Sequence, residues 1–266
     1  LLGFRAQLAK GDHLTIKIHS LPGIPLIKKG DNLCKLILEA IEANKLMLKE
    51  GSILVVAQKV VSKAEDRFVN LKTIKPTALA IQYSSKTDKD PRLVELILQE
   101  SKSVIRYRKG VLVVENHQGL IMANAGIDHS NVEQDPENDW ALMLPENSDK
   151  SAASLHNELL RKTGCKIGVI INDSIGRAWR NGTIGTAIGV AGLSSIVDLR
   201  GQADLFGNQL RVSEEAIADE LASAASLMQG QADEGLPVVL IEGYHTSSQH
   251  IPASELIRPE EKDLFR

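Results

Sequence analysis

Aromatic residues are scarce in this sequence, in which Phe, Trp and Tyr together make up 3% of 266 residues. Proteins that bind single-stranded nucleic acids stack the bases on aromatic side chains, so this composition argues against such a partner. The sequence also contains no dense tract of Arg and Lys, which disfavours nucleic acid binding in general. The hydrophobic core must therefore be built from Leu, Ile, Val and Ala.

Long apolar runs are missing as well. No stretch approaches the roughly 20 residues that a membrane-spanning helix needs. Residues 1–10 lack the basic start and the long apolar stretch that are typical of a secretion signal. The two cysteines, Cys34 and Cys165, lie far apart and have no metal-site spacing. These absences predict a cytoplasmic protein with two reduced, buried thiols and no membrane partner.

Charge is distributed unevenly along the chain. Residues 1–110 carry 20 Lys and Arg against 11 Asp and Glu, whereas residues 111–266 carry 11 against 23. A basic half could attract anionic substrates, and an acidic half could hold metal ions. The alternative is that these charges solvate helix faces, so the asymmetry alone does not decide between functions.

Short apolar strands and helical stretches follow one another without strict alternation, which predicts an α+β protein with mixed sheets and flanking helices. Strands are expected at residues 14–18, 53–57, 103–107, 111–115, 119–123, 166–172 and 237–241. Helices are expected from Asp31 to about Leu48 and over about 59–66, 76–84, 91–102, 148–162 and 213–228, with Ser213 at the start of the last. A Gly-rich region, residues 182–192, separates the last two of these helices.

Familiar nucleotide and hydrolase motifs are absent. The sequence has no Gly-x-x-x-x-Gly-Lys-Ser/Thr, no His-Glu-x-x-His and no Gly-x-Ser-x-Gly. A nucleotide site in this protein must therefore be built in another way.

Two apolar strands each lead into a polar segment. One strand runs into residues 124–131, which include Asp128, and the other delivers Asp173 at its end, followed by Ser174 and Arg177. Carboxylates and hydroxyls at strand ends suit Mg²⁺ or Mn²⁺, and an Arg can bind phosphate with its planar guanidinium. Pattern alone favours the alternative, in which each Asp caps a turn by accepting hydrogen bonds from local backbone amides.

A third segment, residues 228–237, connects the last helix to the last strand. Its glycines, Gly230 and Gly235, permit close approach of the backbone to a ligand. Taken alone, this segment is more typical of an ordinary loop that ends a helix.

Five segments together resemble the coenzyme F420:L-glutamate ligase family, also called the F420-0:gamma-glutamyl ligases. They occur in order over most of the chain: 21–27, 61–65, 124–131, 172–177 and 230–237. The resemblance implies a family-specific α+β fold for residues 14–246, with 1–13 and 247–266 as peripheral tails, and an intertwined homodimer. It also implies GTP-dependent addition of L-glutamate to the carboxylate of a deazaflavin cofactor precursor, coenzyme F420-0, through an acyl phosphate.

The resemblance assigns residues to sites by motif. It implies that two Mg²⁺ or Mn²⁺ ions, with K⁺ as an additional candidate, are bound by Asp128, Asp173, Ser174 and Gln231, and that Asp128, Asp173 and Arg177 take part in catalysis. It further implies a GTP site made of Ile24, Pro25, Leu26, Ile27, Gln58, Lys59, Lys63, Asn131, Gln229, Gly230, Gln231, Ala232, Asp233, Glu234, Gly235 and Leu236, in which residues 229–236 close over the nucleotide.

Five positions differ from the family's usual pattern. Asp66 follows Glu65 where Gly is common, and Gln231 is neutral where some members have Glu. Gln58 and Lys59 stand where small hydroxyl residues occur in the archaeal pattern, and Asn172 stands where Thr is frequent. Two further hypotheses are therefore kept. One is a relative with the same GTP and metal site that glutamylates a different acceptor, and the other is a non-catalytic nucleotide-binding protein.

Overall fold

The computed structural model describes residues 15–129, 137–244 and 249–264. Strands in these ranges are β1 (Lys17–Ser20), β2 (Ile53–Ala57), β3 (Phe68–Asn70), β4 (Ser101–Arg108), β5 (Val111–Asn116), β6 (Ile121–Ala123), β7 (Trp140–Leu142), β8 (Gly168–Gly176), β9 (Thr183–Ala191), β10 (Val197–Asp198), β11 (Glu214–Glu215) and β12 (Val238–Glu242). The α-helices are α1 (Leu33–Ala43), α2 (Gln58–Ala64), α3 (Ala78–Thr87), α4 (Pro91–Gln99), α5 (Ser148–Thr163) and α6 (Ile217–Gln229).

A mixed five-stranded sheet, in the order β1-β12-β2-β8-β9, forms the centre of the larger module. The pair β2–β8 is parallel and its neighbours pair antiparallel. Strand β2 is apolar at every position, as a strand buried on both faces should be. Leu54 and Val56 pack in one core with α1 and α5, whereas Ile53 and Val55 pack in a second core with α6. The expected α+β class with mixed sheets is confirmed.

A smaller module lies between β2 and α5 in the chain. It contains the antiparallel sheet β4-β5-β6 and the pair β3–β7. Helices α3 and α4 cover one face of this module, where Val94, Ile97, Leu112 and Val114 are fully buried. The strand β6 then leads into a single 3-10 turn over Asn124–Gly126, which carries the chain to Asp128.

The Gly-rich region forms a strand, β9, which the sequence analysis left unassigned. Two of its glycines let helices pack closely on this strand. A Cβ atom at Gly189 would lie 2.2 Å from the carbonyl oxygen of Ser148 in α5, and one at Gly185 would lie 2.4 Å from that of Ala222 in α6. The absence of side chains therefore lets helices on both faces approach this strand closely.

Two predicted helix boundaries are wrong. The first helix is capped by Asn32, whose side chain accepts a hydrogen bond from the Lys35 amide at 2.7 Å, and it ends at Ala43 because Lys45 has a φ of 55°. The last helix starts at Ile217 rather than at Ser213, because Glu214 and Glu215 pair with Val197 and Asp198. The first predicted strand is shifted, to Lys17–Ser20, and Leu14 lies outside the described residues.

The segment 249–264, assigned to a peripheral tail, is attached to the larger module. Ile251 pairs with Ser194, Ala253 is buried, and the Asp149 carboxylate accepts hydrogen bonds from the amides of Ala253 and Ser254. The domain boundaries themselves stay a prediction. No helix within the described ranges is long and apolar enough to cross a membrane.

Candidate active site

The parallel strands β2 and β8 run side by side up to the carboxyl end of β2, and β8 continues beyond that point to Gly176. Ala57, the last residue of β2, pairs with Asn172 in β8. Each strand then delivers polar residues at the same edge of the sheet, since Gln58 and Lys59 follow Ala57 and Asp173 follows Asn172. Such an edge is the usual place for ligands in sheets with parallel strands.

Asp128 reaches this edge from the smaller module. Its backbone forms a two-hydrogen-bond bridge with Leu142, with N–O distances of 2.9 and 2.8 Å. Its carboxylate accepts a hydrogen bond from Gln58 Nε2 at 2.9 Å and lies 3.4 Å from the ammonium of Lys59. The side chain is thus fixed at both its backbone and its carboxylate, as a preorganised site requires.

Gln58 is buried and both ends of its amide are used. While Nε2 donates to Asp128, Oε1 accepts a hydrogen bond from the hydroxyl of Ser62 at 3.0 Å. Gln58 and Ser62 are four residues apart in α2, so they lie on one face of the helix. This spacing was a signal for Ser62 that the sequence analysis did not use.

The charge of Asp128 disfavours the ionisation of Asp173. Two effects together raise the pKa of Asp173 to about 6. Burial is the larger effect, and the charge of Asp128 is the smaller one. The pKa of Asp128 is also raised by burial, although the nearby Lys59, Gln58 and Lys63 act in the opposite direction. A cation between the two carboxylates would relieve this repulsion.

The oxygen ligands fit a hard divalent cation. Within residues 15–129, 137–244 and 249–264, His, Cys, Asp and Glu side chains form no cluster of three or more that could hold a metal ion. Two carboxylates are nevertheless sufficient for Mg²⁺, which is typically bound by one or two carboxylates together with water and substrate phosphates. The exposed Ser174 adjoins the pair, and its amide donates to Asp173 Oδ1 at 2.8 Å.

The family comparison decides which group of proteins this chain belongs to. A model of the F420-0:Gamma-glutamyl ligase family matches residues 23–243, which include both carboxylates. The chain belongs to this family. One relative, a coenzyme F420:L-glutamate ligase from Methanothermobacter thermautotrophicus, is 44% identical to this chain over 254 residues. The alignment covers 94% of this chain and 99% of the relative.

Two further relatives bear the same name, coenzyme F420:L-glutamate ligase. The protein of Methanocaldococcus jannaschii is 40% identical and covers 91% of this chain and 94% of its own length. That of Archaeoglobus fulgidus is 35% identical and covers 95% of this chain and 97% of its own length. The likeness therefore extends over nearly the whole of each protein.

The other predicted site residues that the structure describes lie in four segments of the fold: the loop before α1, helix α2, the β8–β9 turn and the α6–β12 loop. In the loop before α1, Ile27 is buried and Ile24 packs on the core, whereas Pro25 and Leu26 are exposed. This loop is tied to the end of α2 by a 2.9 Å hydrogen bond from Gly30 to Ala64.

The β8–β9 turn carries the predicted catalytic arginine. Arg177 donates to the carbonyl of Asn181 at 3.3 Å, and its buried Nε makes no hydrogen bond within the described residues. Lys63 is half-buried in α2, on the helix that also supplies Gln58 and Lys59. Asn131 lies outside the described residues.

The predicted nucleotide segment, residues 229–236, begins with Gln229, the last residue of α6, and continues as the loop 230–236 towards β12. It is mostly exposed, including Gln231, Ala232, Asp233, Glu234 and Gly235, and the Glu234 carboxylate accepts a hydrogen bond from the Ala232 amide at 2.8 Å. Gly230 ends α6 with φ 72° and ψ −175°, a conformation open almost only to glycine. The ligand roles of all these residues stay predictions.

One hydrogen bond between β8 and α6, close to the candidate site, was not predicted from the sequence. The side chain of Asn172 donates a hydrogen bond to Gln229 Oε1 at 2.6 Å, across 57 residues of sequence. Asn172 is buried, and no local spacing or motif indicates that it should find a partner in α6.

Proposed function

We propose that this protein is a GTP-dependent ligase that joins L-glutamate through an amide bond to the carboxylate of coenzyme F420-0. The observation that carries the proposal is the family match over residues 23–243, together with relatives named coenzyme F420:L-glutamate ligase that align over almost their full length. The convergence of Asp128 and Asp173 on one sheet edge, beside Lys59, supports a phosphate site at that position.

The reaction needs an activated carboxylate, because a carboxylate anion is a poor acylating agent. In the first step, an oxygen of the acceptor carboxylate attacks the γ-phosphorus of GTP, and the bond to GDP breaks as the acyl phosphate forms. In the second step, the amine of glutamate attacks the acyl carbon, phosphate leaves with the C–O electron pair, and the nitrogen loses a proton. Positioning and charge compensation are the main tasks of the protein in such a phosphoryl transfer.

The residues at the sheet edge suit those tasks. Asp128 and Asp173 would hold Mg²⁺ or Mn²⁺, with Ser174 and Gln231 as further oxygen ligands. The cation, when bound, would neutralise charge on the phosphoryl oxygens. Lys59 would exchange its Asp128 contact for a nucleotide phosphate, and Lys63 and Arg177 would add positive charge. Gln58 would keep Asp128 oriented, because both ends of its amide are held within the protein.

The nucleotide would lie between two segments near the carboxylate pair. Residues Ile24–Ile27 and 229–236 would form its walls, with Asn131 as a further contact. In this proposal the protein acts as a homodimer, and its substrates are GTP, L-glutamate and a deazaflavin precursor.

The test is to incubate the protein with GTP, Mn²⁺ or Mg²⁺, L-glutamate and coenzyme F420-0, and to follow the products by mass spectrometry. We expect GDP, phosphate and an acceptor whose mass has increased by one glutamyl residue. Asp128→Asn and Asp173→Asn should each lower turnover by at least about a hundredfold, because electrostatic groups of this kind contribute several kcal/mol to a transition state.

Asp219→Asn is the matched control. Asp219 is also partly buried with a raised pKa, but it lies in α6 and accepts a hydrogen bond from the Ala187 amide, which an asparagine oxygen can also accept. This variant should keep near-normal turnover. Release of GDP without a glutamylated product would show a different acceptor, and binding of GTP without any turnover would show a non-catalytic protein.

A further inference from the structure

The two ends of the 230–236 loop are joined to each other by one side chain. Gln229, the last residue of α6, donates through Nε2 to the carbonyl of Pro237 at 3.1 Å, and more weakly to that of Val55 at 3.4 Å. Pro237 is the first residue after the loop, and its carbonyl also accepts the amide of Ala57 at 2.8 Å. The hydrogen bond between Gln229 and Pro237 therefore joins the two ends of the loop beside the carboxyl end of β2. We call this bond the cross-link.

Asn172 holds that cross-link in place from the neighbouring strand. Its Nδ2 donates to Gln229 Oε1 at 2.6 Å, so the amide of Gln229 cannot rotate without losing either this bond or its bond to Pro237. Asn172 is 4% exposed, and its Oδ1 makes no hydrogen bond within the described residues. Among the described residues, Gln229 is therefore the hydrogen-bond partner through which the Asn172 side chain acts.

The same two strands carry the carboxylate site one residue further along. Asn172 pairs with Ala57, and the next residues of the two strands are Asp173 and Gln58, the residue that holds Asp128. A displacement of the Asn172–Gln229 pair would thus move the loop relative to the carboxylates, because both are attached to the same pair of strand ends.

We propose that Asn172 is a positioning residue, which sets the 230–236 loop in register with Asp173 by fixing the amide of Gln229. The inference rests on the proposed function, in which this loop covers GTP. Asn172 itself lies behind the loop and acts through Gln229, so it touches neither substrate nor cation. Its loss should weaken the binding of nucleotide and leave the binding of glutamate unaffected.

The test compares Asn172→Ala, Gln229→Ala and the double variant in steady-state kinetics. Each single variant should raise KM for GTP by about tenfold, the effect of roughly one hydrogen bond. The double variant should be no worse than Gln229→Ala alone, because that substitution already removes the bond to Asn172. KM for glutamate should stay within about twofold of the wild-type value.

Ser195→Ala is the matched control for a purely structural effect. Ser195 is fully buried and donates to the carbonyl of Pro252 at 2.7 Å, a bond like that of Gln229 to Pro237, beyond the far end of β9. This variant should lower Tm but leave KM for GTP unchanged. If Asn172→Ala behaves in the same way, with a lower Tm and an unchanged KM, the inference is wrong.

Hydrogen exchange of the loop gives a readout that does not depend on turnover. In the wild-type protein, GTP should slow amide exchange in the peptide that covers residues 230–236, and Asn172→Ala should reduce that protection severalfold. Equal protection in the two proteins overturns the inference alone. Absence of GTP binding to the wild-type protein, measured first by calorimetry, overturns the proposed function and the inference with it.

Discussion

Asp173 is a residue whose position favours chemistry over stability. It lies within β8, one residue past the last residue that pairs with β2, and burial together with the neighbouring carboxylate of Asp128 raises its pKa to about 6. An ionised group in such a place costs free energy of folding unless a cation offsets it. Functional sites commonly contain residues of this kind, which are retained for what they bind.

We therefore expect Asp173→Asn to stabilise the metal-free protein. In the unfolded chain this carboxyl titrates near its ordinary value of 3.8, whereas in the folded state it titrates near 6. Between these values the folded protein binds a proton that the unfolded chain does not, so stability falls as pH rises through this window and stays lowered above it. At pH 8, with a chelator present, the variant should be more stable by up to about 3 kcal/mol, since one pKa unit corresponds to about 1.4 kcal/mol.

The difference between the two proteins should shrink as pH is lowered from 6 towards 4, as measured by urea denaturation at each pH. The same substitution at Asp198 should give no stabilisation, because hydrogen bonds from Arg200 lower the pKa of that exposed carboxyl to about 2. A variant at Asp173 that is less stable than the wild-type protein at pH 8 would contradict this account.

Among the elements, β9 depends most clearly on residues that have no side chain. It lies at the edge of the central sheet, next to β8, and is covered by α5 on one face and α6 on the other. The backbone of α5 approaches Gly189 so closely that any Cβ atom would overlap the Ser148 carbonyl. The helix cannot move away cheaply, because its Ala152, Leu155 and Leu159 are buried in the core.

Gly189→Ala should accordingly destabilise the protein by about 3 kcal/mol or more, the typical cost of overpacking a core against backbone atoms. Gly176→Ala is the matched control in the adjacent strand, because a Cβ atom there would meet nothing within 4 Å. The measurement is the midpoint of urea denaturation at constant m value. Equal midpoints for the two variants would show that the contact with Ser148 relaxes without cost.

At the scale of the whole molecule, the two modules meet at the candidate site. Helix α2, which follows β2 of the central sheet, provides Gln58 and Lys59, strand β8 provides Asp173, and the smaller module provides Asp128. A site assembled in this way depends on the docking of the modules, so its geometry is sensitive to changes far from the carboxylates. This arrangement also places the site at an interface between structural units, where ligand pockets are frequent.

A segment that we call the arm, residues 197–215, projects apolar side chains into solvent. Leu205 is 99% exposed, Phe206 90% and Val212 84%. The arm pairs with itself, through β10–β11 and through hydrogen bonds such as Gly201 to Leu210 at 2.8 Å. A lone two-stranded hairpin is only marginally stable in water, and exposed apolar tips of this kind typically contact another chain.

We propose that the arm packs on a second copy of the chain in the expected homodimer. The double variant Leu205→Ser with Phe206→Ser should shift the protein from dimer to monomer, measured by light scattering over a range of concentrations. Leu264→Ser, which removes a side chain that is 90% exposed outside the arm, should leave the dimer intact. A monomeric wild-type protein, or a double variant that remains dimeric, would exclude this role for the arm.

Several features of this protein follow from its sequence alone. The apolar run Ile53–Ala57 is a strand at the predicted residues, and the helix that begins at Ser148 ends with Gly164 in a left-handed conformation, as its sequence predicts. Such features depend on hydrophobic periodicity and on capping, which involve neighbours in the chain. Asp128 and Asp173 are selected in a different way, through the resemblance of their segments to a family, because the pattern alone favours turn capping.

The partners of the polar side chains were decided only by the tertiary structure. Gln58 bonds to Asp128 across 70 residues and Asn172 bonds to Gln229 across 57, and neither contact has a local signal in the sequence. Glu214 and Glu215 have the pattern of a helix start, yet they join a strand pair because Val197 and Asp198 lie beside them. Local propensities amount to fractions of a kcal/mol per residue, so long-range packing and pairing override them.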